Sequence, residues 1–116
     1  MKRKPTVDRK RFTLFGKFLD DALTLANMSQ SELARQAGLR SSSYLAKVMK
    51  GQRSADRPVL LKWCQILECP EWLEERILNA AGYVSDRQRK AVEAEEVVEE
   101  THKTVMEEAA KRAKQN

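Results

Sequence analysis

The sequence predicts an all-α protein, built as a five-helix globule followed by a C-terminal helical extension. Apolar residues recur three or four positions apart in most of the chain before residue 85, the spacing that places them on one face of a helix. Residues that favour helix beginnings or helix ends separate these stretches. Residues 85–116 contain neither glycine nor proline, so a helix can run through them without interruption.

The chain begins with a basic arm, residues 1–11. It holds six bases and one acid, and it shows no apolar periodicity. Two interpretations stay open: an unstructured charged terminus, or an extension that follows the phosphate backbone or enters the minor groove of DNA. No apolar segment of the kind found in a secretory signal follows the bases. These bases are Lys2, Arg3, Lys4, Arg9, Lys10 and Arg11.

A first helix is predicted over residues 13–26. Its apolar positions repeat at helical spacing and form one stripe, which we expect to be core. The stripe consists of Phe12, Phe15, Leu19, Ala22, Leu23 and Ala26.

Two short helices joined by a tight turn follow in residues 28–53. Ser29 and Glu32 form a capping box, so the second helix begins at about Gln30. Gly38 stands where a left-handed residue is needed to end it. The small apolar face of this helix consists of Leu33, Ala34 and Ala37.

The third helix is predicted over residues 42–50, with Ser41 as its N-cap and Gly51 at its end. Leu45 and Val48, three positions apart, point toward the core. The opposite face is uncharged or cationic and contains no acid, which suits a helix lying in the anionic major groove. That face carries Ser42, Ser43, Ala46, Lys47 and Lys50.

Two further helices complete the globule. Asp56 and Pro58 begin the fourth helix, and Pro70 begins the fifth, which Gly82 ends. Their buried stripes are predicted to be Val59, Leu60, Trp63, Ile66 and Leu67, and then Trp72, Leu73, Ile77 and Leu78.

The tail, residues 85–116, opens with a second capping pair, Ser85 and Gln88. It carries a short heptad-like seam, which leaves open a dimerising helix, a partner-binding helix or a frayed, solvated tail. If the seam dimerises, aspartate at Val98 and Val105 lowers dimer affinity and leaves the monomer folded. His102, the single histidine, is expected on the surface. The seam consists of Ala91, Ala94, Val98, Thr101 and Val105.

Charge is distributed unevenly along the chain. Residues 1–57 hold 13 bases and 5 acids, a net charge of +8, whereas the remaining two segments, 58–84 and 85–116, are slightly acidic. All the positive excess therefore accompanies the two short helices, as a phosphate-binding surface requires. A merely solubilising basic surface is the alternative.

The sequence points away from secreted, membrane and enzyme classes. Cys64 and Cys69 match neither a redox nor a zinc CxxC pair, and so few cysteines favour a reducing cytoplasm. No apolar run approaches the ~20 residues of a membrane span. The chain shows no nucleophile motif, metal cluster or phosphate loop, so we expect no catalysis, no metal and no cofactor.

Several phrases of the sequence resemble, in the right order, the helix-turn-helix of the Cro and phage-repressor (XRE) family. They are SQSELARQAG, the SYL after the turn, the lysine and glycine that follow it, LLKWCQILE and AAGY. The resemblance covers roughly residues 14–84. It implies a sequence-specific double-stranded DNA-binding transcriptional regulator, a homodimer on a two-fold operator, with helix 42–50 as recognition helix in the major groove.

The resemblance also implies roles for individual residues. Gln30 at the start of the second helix is expected to bind a phosphate. The base readers are Ser42, Ser43 and Lys47, and further phosphate ligands are Arg40, Tyr44, Lys50 and Arg53. Residues 1–11 are then a DNA-contacting arm, residues 12–84 the DNA-binding domain, and residues 85–116 a dimerisation or partner-binding segment. Such a protein is expected in the cytoplasm of a bacterium, with its genome or that of a phage as target.

Two departures from the family qualify these roles. Many members keep a buried Arg–Glu pair between the first helix and the recognition helix, where this chain has Leu23 and Met49. Packing is expected to replace the ion pair, an exchange that is often neutral or stabilising. The segment from Gly38 to Gly51, which contains the turn, is one residue longer than in the phage repressors. This leaves the cap and the first base readers unresolved among Ser41, Ser42 and Ser43.

A rival interpretation is an antitoxin or adaptor, in which the helix-turn-helix globule is retained and the C-terminal helix binds a protein partner. Acidic and basic blocks alternate in the tail, EAEEVVEE and then AAKRAK, and they suit such a partner or self-association.

Overall fold

The computed structural model describes residues 9–82 and 95–115 of the chain, and only the backbone of residues 9, 95–97, 114 and 115. Every regular element in this part is helical, which confirms the all-α prediction. None of these helices has both the length and the apolarity needed to cross a membrane. The elements are a 3-10 turn η1 (Arg9–Arg11), α1 (Leu14–Ala26), α2 (Gln30–Gln36), α3 (Ser43–Met49), α4 (Arg57–Ile66), α5 (Glu71–Ala80) and α6 (Glu95–Gln115).

Helix α1 is the centre of the packing. Its Thr13 cap accepts a hydrogen bond from the amide of Gly16, and Asn27 in the left-handed region ends it. Nearly every residue from Phe15 to Leu25 is buried, so the single stripe predicted from the sequence underestimates the burial. Phe18 and Leu25 lie outside that stripe and are buried as well, because other helices surround α1 on more than one side.

The contact between α1 and α3 is made backbone to backbone. The amide and the hydroxyl of Thr13 both donate to the carbonyl oxygen of Met49, at 3.0 and 3.2 Å. A Cβ on Gly16 would lie 2.1 Å from the same oxygen. Leu23 and Met49 are fully buried in one core cluster, as expected for a link held by packing.

Helices α4 and α5 close the other side of the core. Leu60, Trp63, Leu73 and Ile77 are buried, which confirms the centre of each predicted stripe. Leu67 is also buried as predicted, whereas Val59, Ile66, Trp72 and Leu78 are only partly buried.

Helix α6 packs against α1 of its own chain, and this is the most extensive helix–helix contact in the described part of the structure. Thr101 and Val105 are fully buried, and Ala109 is nearly so. The sequence predicted a dimerising helix, a partner-binding helix or a solvated tail, and none of these is a helix folded back onto its own domain. The predicted cap Ser85 with Gln88, and the seam residues Ala91 and Ala94, lie outside the described residues.

Polar side chains reinforce this packing. The Nδ1 atom of His102 lies 2.7 Å from an oxygen of the buried Asp21 carboxylate, and Arg76 of α5 donates to the hydroxyl of Thr101 at 2.6 Å. Arg112 donates to the carbonyl oxygen of Leu25. His102 keeps 35% of its side chain exposed, as expected of a surface residue, and its pairing with Asp21 is a contact that the sequence did not indicate. Buried polar groups are tolerated when they are paired in this way.

Candidate nucleic-acid interface

The first helix of the candidate site, α2, is capped as the sequence predicts. The hydroxyl of Ser29 accepts from the amide of Glu32 at 3.1 Å. Gln30, the predicted phosphate ligand, is the first residue of the helix and is half-buried. Its side chain therefore lies at the positive end of the helix dipole, where a phosphate is favoured.

A Schellman turn follows α2 and fixes the direction of the chain. Gly38 has a φ of 81°, and its amide donates to the carbonyl of Arg35 while the amide of Leu39 donates to that of Ala34. This pair of bonds is the pattern expected when a left-handed residue ends a helix. Leu39 packs against the core and Arg40 is exposed directly after it, in the turn before α3.

The start of α3 separates the three serines. The hydroxyl of Ser41 accepts from the amide of Ser43 at 3.3 Å, whereas Ser42 stands at the N-cap position of α3 and makes no capping bond with its side chain. Ser42 already has helical backbone angles and is half-buried, whereas Ser43 is exposed in the first turn. Regular helix runs over Ser43–Met49, one residue shorter at each end than predicted, which is the usual uncertainty of helix ends.

The end of α3 repeats the turn geometry of α2. Gly51 has a φ of 80°, its amide donates to the carbonyl of Val48, and the amide of Gln52 donates to that of Lys47. The chain therefore leaves α3 in a defined direction, and the loop that carries Arg53 begins there.

The two faces of α3 differ in burial as the spacing predicts. Leu45, Val48 and Met49 are buried, whereas Ser43, Lys47 and Lys50 are exposed. The exposed face carries hydroxyl and ammonium groups and no carboxylate. It can donate hydrogen bonds to base edges or phosphates without bringing negative charge close to DNA.

Tyr44 has a role that the sequence did not indicate. Its hydroxyl donates to the carbonyl oxygen of Ser54 at 3.1 Å, and its ring meets Trp63 edge-on, with the ring centroids 6.3 Å apart. The side chain thus joins α3 to the following loop and to α4. Tyr44 as a phosphate ligand stays a prediction, and it requires the hydroxyl to leave Ser54, because a phosphate only accepts hydrogen bonds.

The remaining predicted cations lie before α1 and after α3 in the chain. Arg53 is exposed in the loop after α3, and Lys10 and Arg11 are exposed in η1, just before α1. Lys62 of α4 was not among the predicted ligands. Its ammonium donates to the carbonyl oxygen of Ala37, at the end of α2. Of the other arm residues, Arg9 is described by its backbone alone, and Lys2, Arg3 and Lys4 lie outside the described residues.

Nothing in the described ranges resembles a metal site: no group of three or more His, Cys, Asp or Glu residues is placed to hold an ion. The chemistry of this surface is therefore that of exposed hydroxyl, amide and cationic donors on two helices and their turns.

Comparison with known proteins identifies a helix-turn-helix in this part of the chain. Residues 19–71 match a family model described as helix-turn-helix, and they reach from the middle of α1 to the first residue of α5. Neither the curated proteins nor the solved structures gave a significant match.

Proposed function

We propose, from the premise that residues 19–71 form a helix-turn-helix domain of the Cro and phage-repressor type, that this protein is a sequence-specific double-stranded DNA-binding transcriptional regulator. A helix-turn-helix domain of this family is a DNA-binding regulatory domain. The observation that carries the finer proposal is the outer face of α3. That face is exposed, free of acid and backed by buried Leu45 and Val48, so the helix is held rigidly with its donors outward.

In the proposed complex α2 lies across the phosphate backbone and α3 enters the major groove. An α-helix with its side chains is about 10 to 12 Å across, and the major groove is ~12 Å wide, so α3 fits into the groove. In helix-turn-helix proteins the N-terminal residues of the recognition helix contact the base edges. Ser42 and Ser43 then meet base edges first, and Lys47 reaches them one turn later. Serine hydroxyls can donate or accept, so Lys47 carries most of the discrimination that comes from this face.

Phosphate contacts position the domain. The amide of Gln30 binds the backbone beside the amino end of α2, and Arg40, Lys50 and Arg53 bind phosphates on either side of the groove. Tyr44 contributes when its hydroxyl turns from the carbonyl of Ser54 and donates to a phosphate. The arm bases, Lys2, Arg3, Lys4, Arg9, Lys10 and Arg11, extend the contact along the backbone or into the minor groove.

The quaternary and cellular parts of the proposal follow from the resemblance. Two copies of the chain bind the half-sites of a two-fold operator, with recognition helices one helical turn apart. The protein then acts in the cytoplasm as a repressor, because a dimer seated on an operator blocks access to the DNA beneath it.

An antitoxin or adaptor function is the second candidate, and α6 is the element that would serve it. Thr101 and Val105 of the predicted seam are already buried in the packing of α6 on α1. A partner would therefore bind the exposed, charged face of α6. That face includes Glu99, Glu100, Lys103, Glu107 and Lys111.

Binding-site selection on randomised duplexes tests the main proposal. Lys47→Ala is expected to change base preference and to relax discrimination by roughly 1 to 3 kcal/mol at one position of each half-site. Gln30→Ala is expected to weaken cognate and variant sites alike, because a phosphate contact carries no sequence information.

Lys103→Ala is the matched control, since it removes the same charge from an exposed position of α6. It should leave the selected motif unchanged. If Lys47→Ala selects the wild-type motif with undiminished discrimination, α3 does not read the groove as proposed, and the adaptor function gains support.

A further inference from the structure

A cavity of about 480 Å³ lies behind the recognition helix. Its size is within the range of roughly 300 to 1,000 Å³ that is usual for small-molecule sites. It opens between the first turn of α1, the end of α3, the loop that follows α3 and the end of α5. Its walls include Leu14, Val48, Arg53, Ser54, Ala80 and Ala81.

The walls combine an apolar floor with one charged side chain. Over the buried core residues Phe15, Val48 and Leu60, the cavity exposes the partly buried side chains of Leu14, Ala80 and Ala81, which form a preformed apolar surface. Arg53 is exposed at the mouth, and the lining residues of the described chain include no acid. An anionic group would meet a guanidinium there without a competing carboxylate among these residues.

Helix ends add polar groups to the same cavity. Leu14 and Phe15 are in the first turn of α1, where backbone amides point away from the helix and the dipole is positive. Ala80 and Ala81 are at the end of α5, where carbonyl oxygens are exposed. The first wall favours a carboxylate, and the second can accept a hydrogen bond from a hydroxyl or an amide of the ligand.

We propose that this cavity binds a small monocarboxylic acid with an apolar body, and that the bound acid weakens DNA binding. The carboxylate pairs with Arg53 and the apolar body lies on Leu14, Ala80 and Ala81. The second half of the proposal rests on the proposed function, in which Arg53 binds a phosphate. A carboxylate on Arg53 neutralises the charge offered to that phosphate, and by linkage DNA weakens binding of the acid by the same factor.

The position of the cavity makes this coupling direct. Val48 belongs to α3, and Ser54 is the residue whose carbonyl receives the hydroxyl of Tyr44. A ligand in the cavity thus touches both α3 and the loop that α3 holds. No intervening relay of residues is needed between the ligand and the DNA-facing surface.

Cinnamate is a suitable probe, with cinnamyl alcohol as a neutral analogue of the same shape. Backbone-amide NMR of the full chain without DNA is expected to show cinnamate shifting resonances of cavity residues such as Phe15, Val48 and Ser54. The range up to about 10 mM is appropriate for so small a probe. The alcohol is expected to bind at least about fivefold more weakly, because it lacks the charge-assisted bond to Arg53.

Two variants make the result decisive. Arg53 is exposed, so Arg53→Gln is expected to leave the fold unchanged. This variant should reduce cinnamate affinity to that of the alcohol. Ala80→Leu fills the cavity from α5 and should abolish binding of both probes, with the melting temperature as a check of folding. Shifts outside the cavity, equal affinity for acid and alcohol, or unchanged binding by Arg53→Gln would each overturn the proposal.

The effect on DNA is measured separately. Cinnamate at saturating concentration should weaken operator binding by wild type about fivefold, and it should leave operator binding by Ala80→Leu unchanged. Binding of cinnamate in the cavity without any effect on DNA would overturn the coupling. A chain that binds cinnamate and no DNA at all would overturn the proposed function and leave the ligand site intact.

Discussion

Gly16 decides how closely two helices approach. A methyl group at this position would meet the carbonyl of Met49, which already accepts two hydrogen bonds from Thr13. The oxygen belongs to backbone at the end of α3, so it cannot turn aside as a flexible side chain can. The recognition helix therefore owes its position relative to α1 to the absence of one side chain.

Gly16→Ala is expected to destabilise the domain by about 2 to 3 kcal/mol through overpacking. Urea unfolding followed by the fluorescence of Trp63 and Trp72 measures this. Gly38→Ala is the matched control: its φ is 81° and no atom lies near its added Cβ, so only the left-handed backbone costs energy, about 1 to 2 kcal/mol. A Gly16→Ala variant as stable as wild type would contradict the close approach of α1 and α3.

Cys69 is a second position where the surroundings set the chemistry. Its hydrogen bond with Cys64, together with burial, holds the pKa of the Cys69 thiol well above its ordinary value. The thiol therefore stays protonated through the neutral range, and the thiolate that reacts with electrophiles is scarce. Iodoacetamide at pH 8 is expected to leave Cys69 unmodified in the folded chain and to modify it after unfolding in urea, as mass spectrometry can show. Modification of the folded chain at the rate of an unfolded control would contradict this environment.

At the scale of elements, helix α6 of the C-terminal tail packs on α1 of its own chain. Spacing identified Val98, Thr101 and Val105 as one seam, and the structure places Thr101 and Val105 in the core. These two seam residues therefore pack within the chain and not against a second copy. The expectation that aspartate at Val98 and Val105 would leave the monomer folded is reversed by this burial.

Val105→Asp is expected to lower the free energy of unfolding by about 3 kcal/mol or more, since a carboxyl group would replace a fully buried isopropyl group. Lys103→Asp introduces the same residue two positions away on the exposed face of α6 and should change stability by less than about 1 kcal/mol. Thermal unfolding of both variants gives the comparison. Equal stability would mean that α6 does not pack on α1 in solution.

At the scale of the whole molecule, charge is separated from the elements that stabilise the fold. The net +8 of residues 1–57 accompanies η1 and the helix-turn-helix, whereas α4 to α6 are slightly acidic in sum. Proposed DNA contacts and core packing thus use different surfaces of the same small domain. Changes in the arm should therefore alter affinity without altering stability.

Replacing the six arm bases with glutamine is expected to weaken binding to cognate and random DNA alike. It should also make log K fall less steeply with log salt, by ~0.9 for each phosphate that the arm no longer neutralises. The glutamine variant removes the charges and keeps the length of the chain. Deletion of residues 1–11 removes both, so comparing the two variants separates the effect of the charges from that of the chain. Titrations at several salt concentrations give the slopes. Unchanged affinity and slope in both variants would show that the arm does not touch DNA.

The sequence by itself determined the helices and the outer face of the candidate site. Capping and helix-ending signals act within five residues, so Ser29, Gly38 and Gly51 fix the limits of α2 and α3 wherever the chain folds. Periodicity is equally local, and it separates Leu45 and Val48 from the exposed Lys47. These features could be predicted because the partners in each interaction are neighbours in the chain.

Only the tertiary structure decided where α6 lies and what Tyr44 and Gly16 do. Asp21 and His102 are 81 positions apart, and Thr13 and Met49 are 36 apart, so no pattern within either segment records their meeting. The sequence could show that the tail carries an apolar seam, yet an unpaired seam is compatible with another copy, another protein or its own domain. The tail helix α6 packs on α1 because α1 presents apolar surface together with Asp21, which pairs with His102.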